Sequence, residues 1–478
     1  MSIVLFWPPM NYEKGLEYDI PSLSMASLSK TLEENNFEVY IFDANFHFKS
    51  EEICEKPREI LFKCIKIIEE INPEILGIGS WTLSMPFIAD FLIKFKERNP
   101  EIQIILGGYN PTFLPGETLE KIPSVDFLVR GEGEYTLLEL CKYLNGKSSK
   151  KLASIQGISY KNKKSGKIIH NKKRDLCKLD DLPLVDFENY INIEKIRKKI
   201  KPILMNSRGC IYSCNFCSIK GIWPYYRFFS SDKTIEQIKR LLDLYDIDRI
   251  NFVDDNFFIN PKRTRKLLEN INGSFPDLKV GGDMRVENFS LEFMKKMKNR
   301  NMDYFFIGID SIIPETLIFY GKTLKPLKYI QKVKKIINYI KKSDTHLDMG
   351  YILGAPNEIM SSFFETREFF RKIQKFKNIR IIPTIITVYP GTTLWRNYKE
   401  GKLKVYYIKN HLEISSFSGP YSEKYSKSIS MVPTYYRIKN NVLNKMQLER
   451  ELYKTVFVVF GDQLKNWNDD FTPILYQN

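Results

Sequence analysis

Along most of the chain, short apolar runs alternate with stretches whose apolar residues recur at helical spacing. Ser2–Trp7 (SIVLFW) is apolar throughout and is closed by Pro8-Pro9, which predicts a buried strand ending in a turn. Leu23–Glu34 has helical spacing, through Leu23, Ala26, Leu28 and Leu32. The pattern continues with a strand at Phe37–Phe42, a helix at Ile60–Ile71, a strand at Ile75–Ser80 and a helix at Pro86–Lys96. A strand at Ile102–Leu106 runs into Gly107-Gly108, and a short one at Phe127–Val129 precedes Gly131-Glu132-Gly133-Glu134 and a helix from Tyr135. Strands alternating with helices at this spacing predict an α/β fold with a doubly wound parallel sheet over residues 1–145. Ligands of such sheets sit at the carboxyl ends of the strands. Here those ends carry Trp7–Pro9, Asp43–Asn45, Gly79–Thr82, Gly107–Thr112 and Arg130–Glu134, whose small residues allow close backbone approach to a large ligand.

Residues 146–200 are polar and form a connector, with Gln156–Tyr160 and Lys167–His170 placed to pair as a hairpin. From 201 to 400 the alternation resumes. Strands are predicted at Ile203–Met205, Ile250–Val253, Lys279–Gly282, Tyr304–Ile309, Leu347–Leu353 and Arg380–Val388. The intervening helices are Thr234–Tyr245, Pro261–Ile271, Leu291–Asn299, Leu327–Lys341 and Phe363–Phe376. Six strand–helix units predict a partial (β/α)6, TIM-like barrel with working residues at its strand ends. The tail, 401–478, has helical spacing at Val442–Phe457 and is expected to be a small, mostly helical region capping a substrate site.

At 478 residues the chain is long for one core. No run of about 18 apolar residues occurs, so no membrane span is predicted. MSIVLFWPPM lacks the basic start and cleavage site of a signal peptide. The seven cysteines do not form an even disulfide framework. These features predict a cytoplasmic setting. The net charge of +16 is carried by lysines scattered in runs such as Lys161–Lys164, Arg197–Lys201 and Lys332–Lys335. Spread in this way they read as solvated faces rather than as a nucleic-acid surface, with docking of an acidic protein as the other reading.

The most informative stretch is SRGCIYSCNFCSI, Ser207–Ile219. It sets Cys210, Cys214 and Cys217 in a C-x3-C-x2-C spacing. Three thiols so close can turn toward one point only if the backbone loops around it. Zinc would need a fourth ligand, and no other Cys or His lies near in sequence. Three unrelated buried thiols would not cluster within eight residues of a chain that has only seven cysteines. Three thiolates can hold three irons of a [4Fe–4S] cube and leave the fourth open.

This spacing, with the aromatic Phe216 before the third cysteine, resembles the radical S-adenosylmethionine (SAM) enzymes. LGGYNPTFLPGETL (Leu106–Leu119) and DFLVRGEGEYTLLEL (Asp126–Leu140) narrow the resemblance to the cobalamin (B12)-dependent branch, the class B methylase-like enzymes. So do FVDDNF (Phe252–Phe257), GGDMRVE (Gly281–Glu287), FIGIDS (Phe306–Ser311), GYILGAPNE (Gly350–Glu358) and YPGTTL (Tyr389–Leu394). The resemblance covers nearly all of residues 1–400. It implies a Rossmann-like cobalamin-binding domain (1–145), a connector (146–200), a radical SAM partial barrel (201–400) and a substrate-lining tail (401–478). It implies cobalamin contacts at Pro8, Pro9, Ser80, Trp81, Thr82, Gly107, Gly108, Tyr109, Asn110, Gly131, Glu132 and Gly133. The family's D-x-H-x-x-G loop is absent and His47 is the first domain's only histidine, so the cobalamin is expected base-off without a histidine lower ligand.

Cys210, Cys214 and Cys217 are implied as catalytic cluster ligands, and Phe216, Asp254, Asp255, Arg285 and Asp310 as SAM contacts. Asp254 or Asp255 would accept from the amino group of SAM, Arg285 would pair with its carboxylate, and Asp310 would hold the ribose. The implied reaction is reductive cleavage of SAM to a 5′-deoxyadenosyl radical, which takes hydrogen from an unactivated carbon. Methyl transfer from methylcobalamin to that carbon follows, making the chain a C-methyltransferase. Partners would be a small-molecule or peptide substrate and a flavodoxin- or ferredoxin-type electron donor. The rivals are a cobalamin-dependent radical rearrangement, cyclisation or ring contraction, and a non-catalytic cobalamin-responsive sensor or carrier. A methylthiotransferase acting on tRNA would need further cluster cysteines, whereas Cys54, Cys64 and Cys141 read as core.

Overall fold

A computed structural model describes residues 1–9, 20–197, 200–297, 301–407 and 436–460. The end of the predicted helix Leu291–Asn299, parts of the basic run Arg197–Lys201 and most of the tail lie outside the described residues. The chain divides into two compact units. One comprises residues 1–209 and 221–248; the other comprises 210–220 and continues from 249.

In the first unit the strands are β1 (Ser2–Trp7), β2 (Glu38–Asp43), β3 (Ile75–Ser80), β4 (Gln103–Gly108), β5 (Phe127–Val129), β6 (Ile158–Lys161) and β7 (Ile168–His170). They form one sheet in the order β2-β1-β3-β4-β5-β6-β7. The first five run parallel. The hairpin read as part of the connector extends this sheet, with β6 antiparallel to β5. The register pairs Trp7 with Asp43, Ser80 with Gly108 and Gly107 with Val129, so the carboxyl ends fall in line. One face of the sheet is closed by aromatic packing: Phe6 stacks on Phe42 at 5.2 Å and meets Phe91 of the helix Met85–Arg98 at 5.1 Å. The other face carries Leu5, Trp7, Gly77 and Gly79 toward the helix Leu23–Glu33, which Ser22 caps by accepting from the Met25 N–H.

Three short strands follow, β8 (Ile203–Leu204), β9 (Ser207–Arg208) and β10 (Arg227–Phe228), with β9 and β10 antiparallel. The helix predicted at Thr234–Tyr245 spans Ser231–Leu244 and packs with the first unit. Ser230 caps it, and Gln237 and Tyr245 hydrogen-bond the backbone of Val185 and Phe187.

The second unit is built on β11 (Arg249–Phe252), β12 (Lys279–Arg285), β13 (Met302–Asp310), β14 (His346–Leu353) and β15 (Ile379–Ile385), all parallel and adjacent in that order. Its outer face packs through Phe252 and Phe257, stacked at 4.6 Å, and through Phe258 and Phe305 at 5.8 Å. Strand β12 runs three residues past the predicted Lys279–Gly282, so Asp283 and Arg285 lie on the strand rather than beyond it. The sheet keeps its register there: Asp283 is paired with Phe306 and Arg285 with Gly308. Strands β16 (Val405–Tyr407) and β17 (Tyr436–Ile438) form a small hairpin. The helix Lys445–Phe460 docks on Met360–Ile373 through a buried ion pair, Arg367 to Glu451 at 2.7 Å. No helix among the described residues is long and apolar enough to cross a membrane.

Candidate active site

In the first unit, a cavity opens at the carboxyl ends of the parallel strands. Ser80, Trp81, Gly107, Gly108, Tyr109 and the Gly131–Gly133 turn all line it. Pro8, Pro9, Thr82 and Asn110 stand behind it: the Pro8 carbonyl accepts from Asn45, and Thr82 Oγ1 is 3.2 Å from Asn110 Oδ1. The cradle is made of backbone. Gly108 has φ +112, and a Cβ there would fall 2.1 Å from the Ser80 carbonyl oxygen. A Cβ on Gly79 would press into Trp7 and Met25 at 2.6 Å. By contrast a Cβ on Gly131, at φ +76, would meet nothing within 4 Å, so there the chain borders open space. Trp81 is exposed and lies edge-on to Tyr109 at 6.3 Å. A broad, mostly apolar floor beside bare backbone fits the face of a corrin and its amide rim. No histidine is among the lining residues. His47 lies instead in the short helix Ala44–His47, against Phe42 and Phe48, with Nδ1 3.2 Å from Asn192 Nδ2.

The cavity has a second wall that sequence reasoning missed, formed by Arg208, Ile222, Trp223, Lys233 and Gln237. Its polar heart is Glu132. That carboxylate accepts from Arg208 Nη1 at 2.9 Å, from Trp223 Nε1 at 2.9 Å and from the Arg227 guanidinium. Glu132 was expected to meet a ligand; the structure engages it with protein donors. Glu134 beside it is buried and accepts from Arg208 Nη2 at 2.6 Å and Ser27 Oγ at 2.9 Å. Burial acts to raise the Glu134 pKa, but the charge and hydrogen bond of Arg208 outweigh it and leave it lowered.

The cysteine loop opens the second unit. Cys214 is buried, Cys210 half-buried and Cys217 exposed, and none is in a disulfide. Burial raises the Cys210 thiol pKa and pushes that of Cys217 up to about 11 despite its exposed position. Cys214 and Asp255 add to both shifts, so the three sulfurs and that carboxylate share one neighbourhood. A bound metal reverses this and deprotonates a coordinating thiol outright. Among the described residues no three His, Cys, Asp or Glu side chains converge as for a single ion. A cube held at three corners asks instead for three sulfurs around a wider space.

The loop is pinned by Asn215, which sequence reasoning passed over. Its N–H donates to the Tyr320 carbonyl at 2.8 Å, its Nδ2 to the Phe319 carbonyl at 2.7 Å, and its own carbonyl accepts from Leu394. Gly321 has φ +63, and a Cβ on it would fall 3.3 Å from the Asn215 side chain. Phe216 lies edge-on to Tyr320 at 5.5 Å.

The structure brings several predicted SAM contacts to this loop. Arg285 reaches it from the end of β12: Nη1 donates to Cys214 Sγ at 3.0 Å, and the guanidinium stacks 3.8 Å over the Tyr212 ring. Its other donors go to Glu287 and the Lys322 carbonyl. Asp254 is fully buried and Asp255 half-buried at the end of β11. Burial, and then their two charges, push the neighbouring Asp283 up to about 8. Asp310, at φ +59, ends β13 and is ion-paired with buried Lys322, another residue that sequence reasoning missed. In the Gly354–Glu358 turn, the Glu358 carboxylate folds back on the Gly354 N–H at 2.8 Å, and burial pushes its pKa up to about 8.

Residues 15–141 match the B12 binding domain and residues 206–370 the radical SAM superfamily. An uncharacterized methyltransferase of Pyrococcus horikoshii is 31% identical over 406 residues, which cover 83% of this chain and 82% of that protein. The chain belongs to the cobalamin-dependent radical SAM enzymes. Family membership implies cobalamin, SAM and a [4Fe–4S] cluster. More distant relatives include an anaerobic magnesium-protoporphyrin IX monomethyl ester cyclase of Cereibacter sphaeroides, 26% identical over 77% of this chain and 59% of its own length. Another is the cytidylyl-2-hydroxyethylphosphonate methyltransferase of Streptomyces wedmorensis, 23% identical over 71% and 70%. Among solved structures, the cobalamin-dependent SAM radical enzyme OxsB has a TM-score of 0.71 at 16% identity, covering 96% of this chain and 66% of that one. The radical SAM methyltransferase TsrM of Kitasatospora setae has 0.68 at 14%, covering 96% and 88%. At these identities the likeness concerns the fold.

Proposed function

We propose that this radical SAM enzyme transfers a methyl group to an unactivated carbon of a small-molecule or peptide substrate. The observation that carries the reading is the pairing, on one chain, of a glycine-built cradle at parallel strand ends with a three-cysteine loop. When bound, the cofactors supply the hard chemistry: one electron and an open iron for SAM cleavage, and a cobalt that carries the methyl group. The protein's part is to hold and orient them. Cys210, Cys214 and Cys217 hold the cluster. Arg285 places a positive charge against the Cys214 sulfur, where it offsets the negative charge of the thiolate. Phe216, Asp254 and Asp255 would contact SAM, and Asp310, ion-paired with Lys322, would hold its ribose. In the first unit Trp81, after β3, and Tyr109, after the Gly107-Gly108 turn, would flank the corrin. A cobalamin held here would lack a histidine lower ligand, since His47 is held by Asn192 outside the cavity lining. The electron enters from a flavodoxin- or ferredoxin-type donor, and the enzyme works in the reducing cytoplasm.

The test is anaerobic reconstitution with iron, sulfide and hydroxocobalamin, followed by reductant and methyl-labelled SAM. The reading expects 5′-deoxyadenosine to form and, once a substrate is supplied, the label to appear in product. SAM left intact would overturn the assignment of the cysteine loop. An unlabelled product would overturn methyl transfer.

A further inference from the structure

One side chain of β12 reaches a cysteine of the loop directly. Arg285 donates from Nη1 to Cys214 Sγ at 3.0 Å. Both residues belong to the same compact unit. They are 7% and 8% exposed, so little water screens the contact. The guanidinium is fixed on its remaining sides. Nε and Nη2 grip the two oxygens of Glu287 at 3.2 and 3.0 Å, Nη2 also donates to the Lys322 carbonyl at 3.0 Å, and the Tyr212 ring covers one face at 3.8 Å. Lys322 is itself ion-paired with Asp310, and the pairing of Arg285 with Gly308 sets its height on the sheet. Four of the five N–H donors of the arginine are thus in use. Neither edge of the guanidinium is left for a two-pronged grip on a free carboxylate. What it offers is a buried cation and a directed N–H, both aimed at one sulfur.

We propose that Arg285 is a positioning residue that acts through Cys214 to raise the reduction potential of the cluster, and that it leaves the carboxylate of SAM to other groups. This rests on the cluster assignment made above. The potential of an iron–sulfur cluster depends on its net charge and on hydrogen bonds to its sulfurs. Reduction adds one electron, from the flavodoxin- or ferredoxin-type donor, and makes or breaks no bond. A buried cation and an N–H donor on the sulfur both stabilise the added negative charge, so Arg285 eases reduction. The Glu287 carboxylate works in the opposite direction, but its side chain is 30% exposed and is more strongly screened. An arginine that only braced the loop would change stability and iron retention and leave the potential unmoved.

The experiment is an anaerobic redox titration of the full chain, reconstituted with iron and sulfide, kept free of SAM and followed by electron paramagnetic resonance. Arg285→Gln is expected to shift the reduction equilibrium at least about tenfold toward the oxidised cluster, which is about 59 mV for one electron. Arg285→Lys, which keeps the charge without the planar fork, is expected to shift it less. Glu287→Gln removes the opposing charge and is expected to shift it the other way. The affinity of Arg285→Gln for SAM is expected to stay close to wild type, whereas loss of a carboxylate partner would cost at least about tenfold. One measurement needs no variant to fold. With arginine labelled in its guanidino group by the heavy nitrogen isotope, pulsed resonance of the reduced wild-type cluster is expected to show a nitrogen coupling. Absence of that coupling would overturn the proposal. So would an unchanged potential in both Arg285 variants, or a loss of SAM affinity at an unmoved potential. A wild-type chain that builds no cluster would overturn the cluster reading itself, which separates that failure from the failure of the role given to Arg285.

Discussion

The two sites are made in opposite ways. The cavity of the first unit is shaped by what is missing: glycines at 79, 107, 108, 131 and 133 leave bare backbone at the strand ends, over a floor of Leu5, Trp7 and Tyr109. Its form follows from sheet register, and few of its contacts are tunable one at a time. The cysteine loop of the second unit is shaped by what is added. Each support is a discrete polar contact, from Asn215 to Phe319, Arg285 to Cys214 and Lys322 to Asp310. A backbone-built site is expected to fail abruptly when a side chain intrudes. A contact-built site is expected to degrade by steps.

The largest effect tests the independence of the two. Replacing Cys214 by Ala is expected to abolish SAM cleavage and leave iron content and the cluster's visible absorbance near background. The chain should stay folded and still take up hydroxocobalamin. Next, Gly108→Val puts a branched side chain where even a Cβ lies 2.1 Å from the Ser80 carbonyl. Cobalamin uptake is expected to be lost at constant iron content, since a β-branched residue cannot adopt φ +112 without strain. Uptake that survives would show that the cradle is not where the corrin sits.

Smaller changes grade the loop. Asn215→Ala removes the donor to Phe319 and is expected to cost about 1–3 kcal/mol, read as a lower unfolding midpoint and reduced iron retention. The smallest effect is a pH dependence. The Glu358 carboxyl, ordinarily near 4.5, is pushed to about 8 in the fold. Its raised value means that the associated stability is fully present below about 4.5 and is lost as pH rises through about 8. Glu358→Gln keeps an acceptor for the Gly354 N–H and is expected to flatten the stability profile across that window in thermal unfolding.

The same contrast explains what could be read in advance. Alternation of apolar runs with helical stretches was enough to place the parallel strands, because burial on both faces writes itself into composition. Three cysteines at fixed spacing announced the loop, since chemistry there depends on residue type. Asn215, Lys322, Arg208 and Trp223 gave no such signal. Each acts through a partner distant in sequence: Asn215 through Phe319, Lys322 through Asp310, and Arg208 and Trp223 through Glu132. Arg285 was legible as a charged residue at a strand end. The extension of β12 and the approach to Cys214 were not, and they turn it toward the sulfur rather than toward a free anion. The helix Ser231–Leu244 is legible from its spacing, but its packing beside the first unit's cavity depends on Gln237 and Tyr245 meeting Val185 and Phe187. Periodicity gives a helix its buried face without saying what covers it.

Under the proposed function three thiolates hold the cluster and leave one of its irons open for SAM. The decisive measurement is electron paramagnetic resonance of the reduced, reconstituted chain, recorded before and after SAM is added. A [4Fe–4S] signal whose g-values shift on SAM addition is expected. A signal indifferent to SAM, or no cluster signal in protein that carries its full complement of iron, would contradict it.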